Sequence, residues 1–280
     1  MPKRSDVTQI PQEVISQIPR SSPAQDVFGW TVPVEQIPLP SGGIVYPQAS
    51  SLHGKETLQI KAMTAQEEDI LMSRALLRDG TMLQYLIRSC LIDKSIDPEE
   101  MLIGDRNAML VSIRITGYGT DYKATATCTS CSKPGSYVFN LSSIGIKRLG
   151  TAPVGLGRNE FDFILPITGK RVIFKLLTIR DEREIAQTQE RMSKLFPDAK
   201  VEGTVTRQLE NQIVSIDGKT DRSAIVSFIK SMPAGDSRAL RKHMAEIEPG
   251  LDMQMDFTCR SCGAESKAVI PLGATFFWPE

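Results

Sequence analysis

The chain has 280 residues, 41% apolar and 24% charged, the composition of a folded globular protein with material for one large domain or two ordinary ones. Lysine plus arginine and aspartate plus glutamate each total 33, so the net charge of +0 argues against a nucleic-acid-binding footprint or a polybasic membrane patch. No apolar run approaches the length of a membrane span, and the basic start Met1-Pro-Lys-Arg-Ser-Asp6 has no apolar segment behind it, so no signal peptide is expected.

Residues 1–50 hold eight of the 17 prolines. That density forbids a helix of any length and favours an extended path. Apolar residues recur between the prolines, among them Phe28, Trp30, Val32, Val34, Ile37 and Leu39. A plain solvated linker would rarely carry Phe28 and Trp30, and the alternative is a disordered leader. The segment is therefore expected to be an extended N-terminal arm laid across another surface, its own or a partner's, with Phe28 and Trp30 as contact residues. It ends in Leu39-Pro-Ser-Gly-Gly-Ile-Val-Tyr-Pro47, a tight-turn signal leading into the fold.

Residues 56–63 alternate polar and apolar and predict a strand. Thr64-Ala-Gln-Glu67 matches a capping box, opening a helix over 65–77 that Gly80 breaks. Met82 to Leu91 has helical apolar spacing, with Cys90 as a small core residue, and Pro98 opens a short turn through Met101. Asp105 is expected to cap the next helix and Arg106 to form a structural ion pair, neither having a catalytic role.

Two cysteine pairs follow, Cys128-Thr-Ser-Cys131 and Cys259-Arg-Ser-Cys262, separated by 127 residues. Each C-x-x-C turn aims two thiolates at one point, and two such turns make a tetrahedral four-sulfur site that suits one structural zinc ion. Strand-like flanks enter and leave both knuckles, and each turn carries a glycine, Gly135 or Gly263, which is the form of a zinc ribbon. The competing readings are two local disulfides, a redox dithiol, or metal-free thiols. A redox motif would be expected at a helix start in a βαβ pattern, which is missing here. Five cysteines, four of them in knuckles, fit a reducing compartment.

Between the knuckles, 160–165 and 171–177 flank the turn Pro166-Ile-Thr-Gly169 as a hairpin. Helices are predicted over 181–195, 204–216, 222–232 and 235–247, the last capped by Asp236 or Ser237. The tail Pro271-Leu-Gly-Ala-Thr-Phe-Phe-Trp-Pro-Glu280 places Phe276, Phe277 and Trp278 together, either docked on the core or contacting a partner. The expected fold class is α+β. It comprises the arm (1–50), a discontinuous domain with the four-cysteine zinc ribbon (51–157 plus 251–280), and a mostly helical insert (158–250). The ligands are Cys128, Cys131, Cys259 and Cys262.

An enzyme needs groups that transfer protons, attack, or hold an open metal. There are two histidines, His53 and His243, both expected in surface or capping roles. No nucleophile-elbow, metalloprotease, Walker or dinucleotide-binding motif is present, and a four-cysteine metal has no position open to water. A non-enzyme is expected.

Several stretches together resemble the baseplate protein family of T-even-type, contractile-tailed bacteriophages. They are Leu39-Pro-Ser-Gly-Gly-Ile-Val-Tyr46, Met63-Thr-Ala-Gln-Glu-Glu-Asp-Ile-Leu71, Gly104-Asp-Arg106 with Ile113-Arg-Ile-Thr-Gly-Tyr-Gly119, the two knuckles, and the closing Pro271 to Pro279. The resemblance covers about 39–145 and 251–279. It implies a hub or inner-baseplate structural subunit whose partners are other baseplate and tail proteins. Its place would be the virion tail, reached after assembly in the host cytoplasm, with no nucleic acid, membrane or small-molecule substrate. An alternative within the family is a hub assembly chaperone absent from the mature particle. Outside it stands a zinc-ribbon nucleic-acid binder, which would need a salt-sensitive affinity that the balanced charge disfavours.

Overall fold

The computed structural model describes residues 30–195 and 203–278, so the expectation for Phe28 and most of the arm lies outside the described residues. The fold is α+β, with eight α-helices and eleven short strands among the described residues. The proline-rich segment enters the fold earlier than predicted. Val34–Pro38 forms strand β1, antiparallel to β2 (Thr57–Lys61), with Ile37 opposite Leu58. β1 has β2 as its one sheet partner, and Pro33 and Pro38 flank or end the strand, as prolines on an edge strand do. The turn that follows buries Leu39, Val45 and Tyr46. Apolar residues between these prolines therefore build this chain's own core.

The helix predicted over 65–77 is two helices, α1 (Ala65–Met72) and α2 (Arg74–Arg78). Ser73 is extended between them, and its hydroxyl accepts from the Leu76 N–H to start the second. The predicted capping residue Glu67 accepts from the Thr64 N–H (2.9 Å) and hydroxyl (2.6 Å), and also receives Lys61 Nζ at 2.7 Å. Helix α3 (Met82–Cys90) turns Met82, Leu86, Ile87 and Cys90 inward.

Helix α4 (Ile103–Tyr118) is preceded by Leu102, so Asp105 is not its cap. Asp105 is fully buried instead. Its carboxylate accepts the Ser41 N–H (2.9 Å), the Ser41 hydroxyl (2.6 Å) and the Tyr46 hydroxyl, while Tyr46 Oη accepts the Leu102 N–H at 3.0 Å. Burial pushes the Asp105 carboxyl above its ordinary value against those donors. The Ser-Gly-Gly turn is thus fastened to α4 through one carboxylate. Arg106 makes the expected ion pair, with Glu182.

Strands β3 (Asp121–Thr127) and β4 (Pro134–Asn140) form the first cysteine hairpin, and β5 (Gly145–Lys147) follows. The predicted second hairpin is β6 (Phe161–Ile164) with β7 (Arg171–Phe174). After the charged helix α5 (Ile179–Leu195) comes α6 (Thr204–Gln212), which stops short of the predicted 216. The next residues, Ile213-Val-Ser-Ile216, are mostly β-branched and pair with β7 as β8, completing a three-stranded sheet. Helices α7 (Arg222–Ser231) and α8 (Ala234–Ile247) close the excursion. Asp236 does not cap α8, which starts after Pro233. It is buried and accepts the backbone N–H groups of Ile167 (2.7 Å) and Thr168 (3.1 Å), holding the β6–β7 turn.

The return is made by β9 (Gly250–Asp252), antiparallel to β5 with Ile146 opposite Leu251. Strands β10 (Gln254–Thr258) and β11 (Glu265–Val269) then form the second cysteine hairpin. The β5–β9 ladder makes the long excursion begin and end at one place, which delivers the second hairpin beside the first. Gly104 on α4 lies against this return, and a Cβ there would fall inside the van der Waals shell of the Pro249 carbonyl. One hydrophobic cluster runs from Ile37 to Phe277 and includes Phe161, Phe174, Leu209 and Leu240 of the excursion. Phe276 and Phe277 are fully buried in it, with Phe276 packed on Tyr122 at 5.2 Å. Of the two courses expected for this tail, Phe276 and Phe277 take the one docked on the core. Their surface is spent inside the chain, and Trp278 alone of the three is exposed, at 41%.

Gly104→Ala is expected to lower stability by about 3 kcal/mol, the upper end of overpacking costs, because backbone rather than a movable side chain blocks the added methyl. Gly273→Ala, where the methyl meets nothing, is the control; urea midpoints compare the two. Glu67 gives a pH test. Burial works to raise its pKa, but Lys61, Ser89 and Thr64 outweigh it and hold it at about 2 against an ordinary 4.5. A depressed carboxyl contributes stability that is present above about pH 4.5 and lost as pH falls through about 2. Glu67→Gln should flatten that part of the urea-midpoint-against-pH curve relative to the unmodified chain.

Candidate metal centre

Alternation builds the two hairpins as facing pairs. Tyr122, Ala126, Tyr137 and Phe139 point inward from the first, and Met255, Phe257 and Ser266 from the second. Tyr137 packs on Phe257 with ring centres 4.4 Å apart, and Phe139 meets Phe257 edge-on at 6.2 Å. This aromatic seam fixes the angle at which the two tips meet.

At the tips the knuckles have the same local backbone. The first cysteine of each donates its N–H to the carbonyl five residues on (Cys128 to Lys133, 3.1 Å; Cys259 to Ala264, 2.9 Å). The fourth residue on donates back to that cysteine's carbonyl (Ser132, 3.0 Å; Gly263, 2.8 Å). This geometry needs a left-handed residue, and Ser132 (φ 57°) and Gly263 (φ 75°) supply it. The glycine predicted for the first turn, Gly135, lies within β4 instead. The residue corresponding to Gly263 is Ser132.

The structure brings Cys128, Cys131, Cys259 and Cys262 together, with all four Sγ atoms within 4.8 Å of one another. Cys128 to Cys262 and Cys131 to Cys259 are both 3.7 Å. A disulfide would place sulfurs about 2 Å apart, and all five cysteines are free thiols. A tetrahedron with metal–sulfur bonds of about 2.3 Å has edges of about 3.8 Å. The two cross-hairpin distances match such an edge. Cys128 and Cys259 are buried, Cys131 is half-buried and Cys262 exposed.

The charge state of the donors points the same way. The Ser266 hydroxyl and the Cys131 and Ser130 amides hold the Cys128 thiol down to about 6. Cys259 is also lowered, by the Ser261 and Cys262 amides. Cys262 has the Ala264 amide acting to lower it, yet Cys131, burial, Cys259 and Cys128 push it up to about 12. Thiolates this close repel one another, and a cation among them relieves that repulsion. The donor set fits a soft divalent metal ion.

The remaining predicted residues lie elsewhere. Trp30 is 64% exposed ahead of β1, and Trp278 follows the buried pair Phe276 and Phe277. His53 has Nδ1 2.6 Å from the Tyr46 carbonyl, and His243 stacks on Phe163 at 4.6 Å. Sequence reading missed two residues at the centre, Ser266 and Tyr137, each of which reaches from its own hairpin to the opposite knuckle. A serine at an inward position of β11, opposite Phe257, is the signal that could have found the first.

A family model described as T4 bacteriophage base plate protein matches residues 46–278, a span that includes both knuckles. No curated protein and no solved structure matches the chain.

The left-handed residues give a paired test. Ser132→Gly is expected to stabilise the chain by about 1 kcal/mol and Gly263→Ala to destabilise it by about the same, since only Gly adopts this conformation without cost. No neighbour blocks a methyl at Gly263. Thermal unfolding midpoints moving in opposite directions would bear this out.

Proposed function

Because the chain belongs to the T4 bacteriophage base plate protein family, we propose that it is a structural subunit of a contractile phage tail baseplate, in the hub or inner baseplate. In this reading one zinc ion is held by Cys128, Cys131, Cys259 and Cys262 as a zinc ribbon split across the sequence. The observation that carries it is the four-sulfur cluster at the shared tip of two hairpins, inside the matched span. Bound there, the metal supplies a cross-link and no reaction, since four protein sulfurs leave no position for water or substrate. A tie closing a loop this long removes about 5 kcal/mol of unfolded-chain entropy, taking a disulfide of similar span as the guide.

The partners in this reading are neighbouring baseplate and tail proteins. Trp30 and Trp278 offer exposed indoles for them, with Phe28 beside the first in sequence. No nucleic acid, membrane or small substrate is needed. The formal net charge is +0, and among the described residues no helix is long and apolar enough to cross a membrane. Zinc loading requires reduced thiols, which places folding in a reducing compartment such as the host cytoplasm before the subunit joins the tail.

Metal analysis of the purified chain should find about one zinc per chain. The double variant Cys128→Ser, Cys259→Ser should lose it, unfold at lower temperature and give particles without functional tails. Probing purified virions for the chain is expected to find it. Its absence from finished particles would replace the subunit reading with that of an assembly chaperone. An unmodified chain that purifies without zinc, with a double variant that unfolds no earlier than it does, would remove the metal from the account.

A further inference from the structure

The two knuckles hold each other through side chains as well as sulfur. In each, the backbone N–H after the first cysteine donates to a hydroxyl from the opposite hairpin. Thr129 N–H meets Ser266 Oγ on β11 at 3.4 Å, and Arg260 N–H meets Tyr137 Oη on β4 at 3.2 Å. The two N–H donors are equivalent under exchange of the hairpins, while the hydroxyls stand one inward position apart, Ser266 opposite Phe257 and Tyr137 opposite Ala124. Both hydroxyl-bearing residues are buried, at 6% and 7% exposure. Ser266 lies opposite Phe257 on an inward face whose other residues are Met255, Phe257 and Ala268, so packing alone would favour an apolar residue there. Its Oγ is also 3.4 Å from Cys128 Sγ and 3.2 Å from Thr129 Oγ1. With a metal held there the thiolate would carry no proton, and Ser266 would be the donor in that pair. Tyr137 is anchored by two neighbours, its ring packed at a tilt on Phe257 and the Arg260 guanidinium 5.5 Å from its ring centre.

We propose that Ser266 and Tyr137 are positioning residues of the metal site: a crossed pair of hydrogen bonds that turns each knuckle toward the other and assembles the four-sulfur cage ahead of the ion. The proposal rests on the zinc reading above. The two residues differ in one respect. Ser266 touches a ligand sulfur and so tunes it directly, whereas Tyr137 acts only through the backbone of the opposite knuckle. Hydrogen-bonded partners behind metal ligands are worth about 10- to 100-fold in affinity. Losing either hydroxyl therefore weakens the site without removing a ligand.

The test uses the full chain with Ser266→Ala and Tyr137→Phe, which delete one oxygen each and, at Tyr137, keep the ring on Phe257. Zinc affinity is read by competition with a chromophoric chelator, and the sulfur environment by the absorption spectrum of the cobalt(II)-substituted chain. Each variant should bind zinc about 10- to 100-fold more weakly than the unmodified chain. The cobalt–thiolate charge-transfer band should shift in Ser266→Ala and stay in place in Tyr137→Phe. A general loss of stability would not separate the variants in this way. Because the residues stand on opposite hairpins, either variant alone tests the crossed arrangement if the other fails to fold. Affinities within about twofold of the unmodified chain, with unchanged spectra, would overturn the proposal while leaving the zinc reading intact. An unmodified chain that takes up neither zinc nor cobalt would overturn both.

Discussion

The structure turns on a single meeting point, where the tips of two hairpins far apart in sequence bring four sulfurs within 4.8 Å. Several independent contacts converge on it. The β5–β9 ladder closes the long excursion, the Tyr137–Phe257 seam sets the angle between hairpins, and Gly104 lets α4 lie directly against the returning backbone. The tail then lays Phe276 on Tyr122 of the first hairpin. Remove the tie between the tips and two two-stranded ribbons remain, each marginal alone. Burial and hydrogen bonding bring the chain to this geometry, and the sulfurs are placed where a cation resolves their mutual repulsion.

The segments that carry the family resemblance acquire physical reasons. Leu39 to Tyr46 and Gly104-Asp105-Arg106 are two halves of one contact, since Ser41 and Tyr46 of the first donate to Asp105 of the second. Met63 to Leu71 contains the Thr64–Glu67 box, whose carboxylate also gathers Lys61 and Ser89. Of the closing aromatics, Phe276 and Phe277 are core residues. Buried carboxylates that fasten one segment to another hold this fold alongside the cysteine cluster.

Features set by neighbours in sequence were legible. The knuckles, the hairpin strands beside them, the Thr64–Glu67 box and the helical stripe of α3 follow from spacing alone. Features that depend on distant partners were not. Asp105 and Asp236 look like helix caps in sequence, and only the fold brings Ser41 to one and the Ile167–Thr168 backbone to the other. Within the expected arm, Val34 to Tyr46 forms a strand and a buried turn, because apolar residues between prolines fit a core turn as well as a docking strand. Ile213 to Ile216 was assigned to a helix although its β-branched residues favour the strand that β7 accepts. At the cysteine cluster the four cysteines stand out in the sequence, but the hydroxyls beside them do not, because each comes from the opposite hairpin.

The most direct test of the central tie is amide hydrogen exchange on the zinc-loaded chain before and after chelation. Removing the metal should strip protection from β3, β4, β10 and β11 together, and from the Phe276–Phe277 turn packed on them, while α1 and α3 keep theirs. Unchanged protection in the hairpins after complete metal removal would show that the cysteine cluster ties nothing, and would contradict the account.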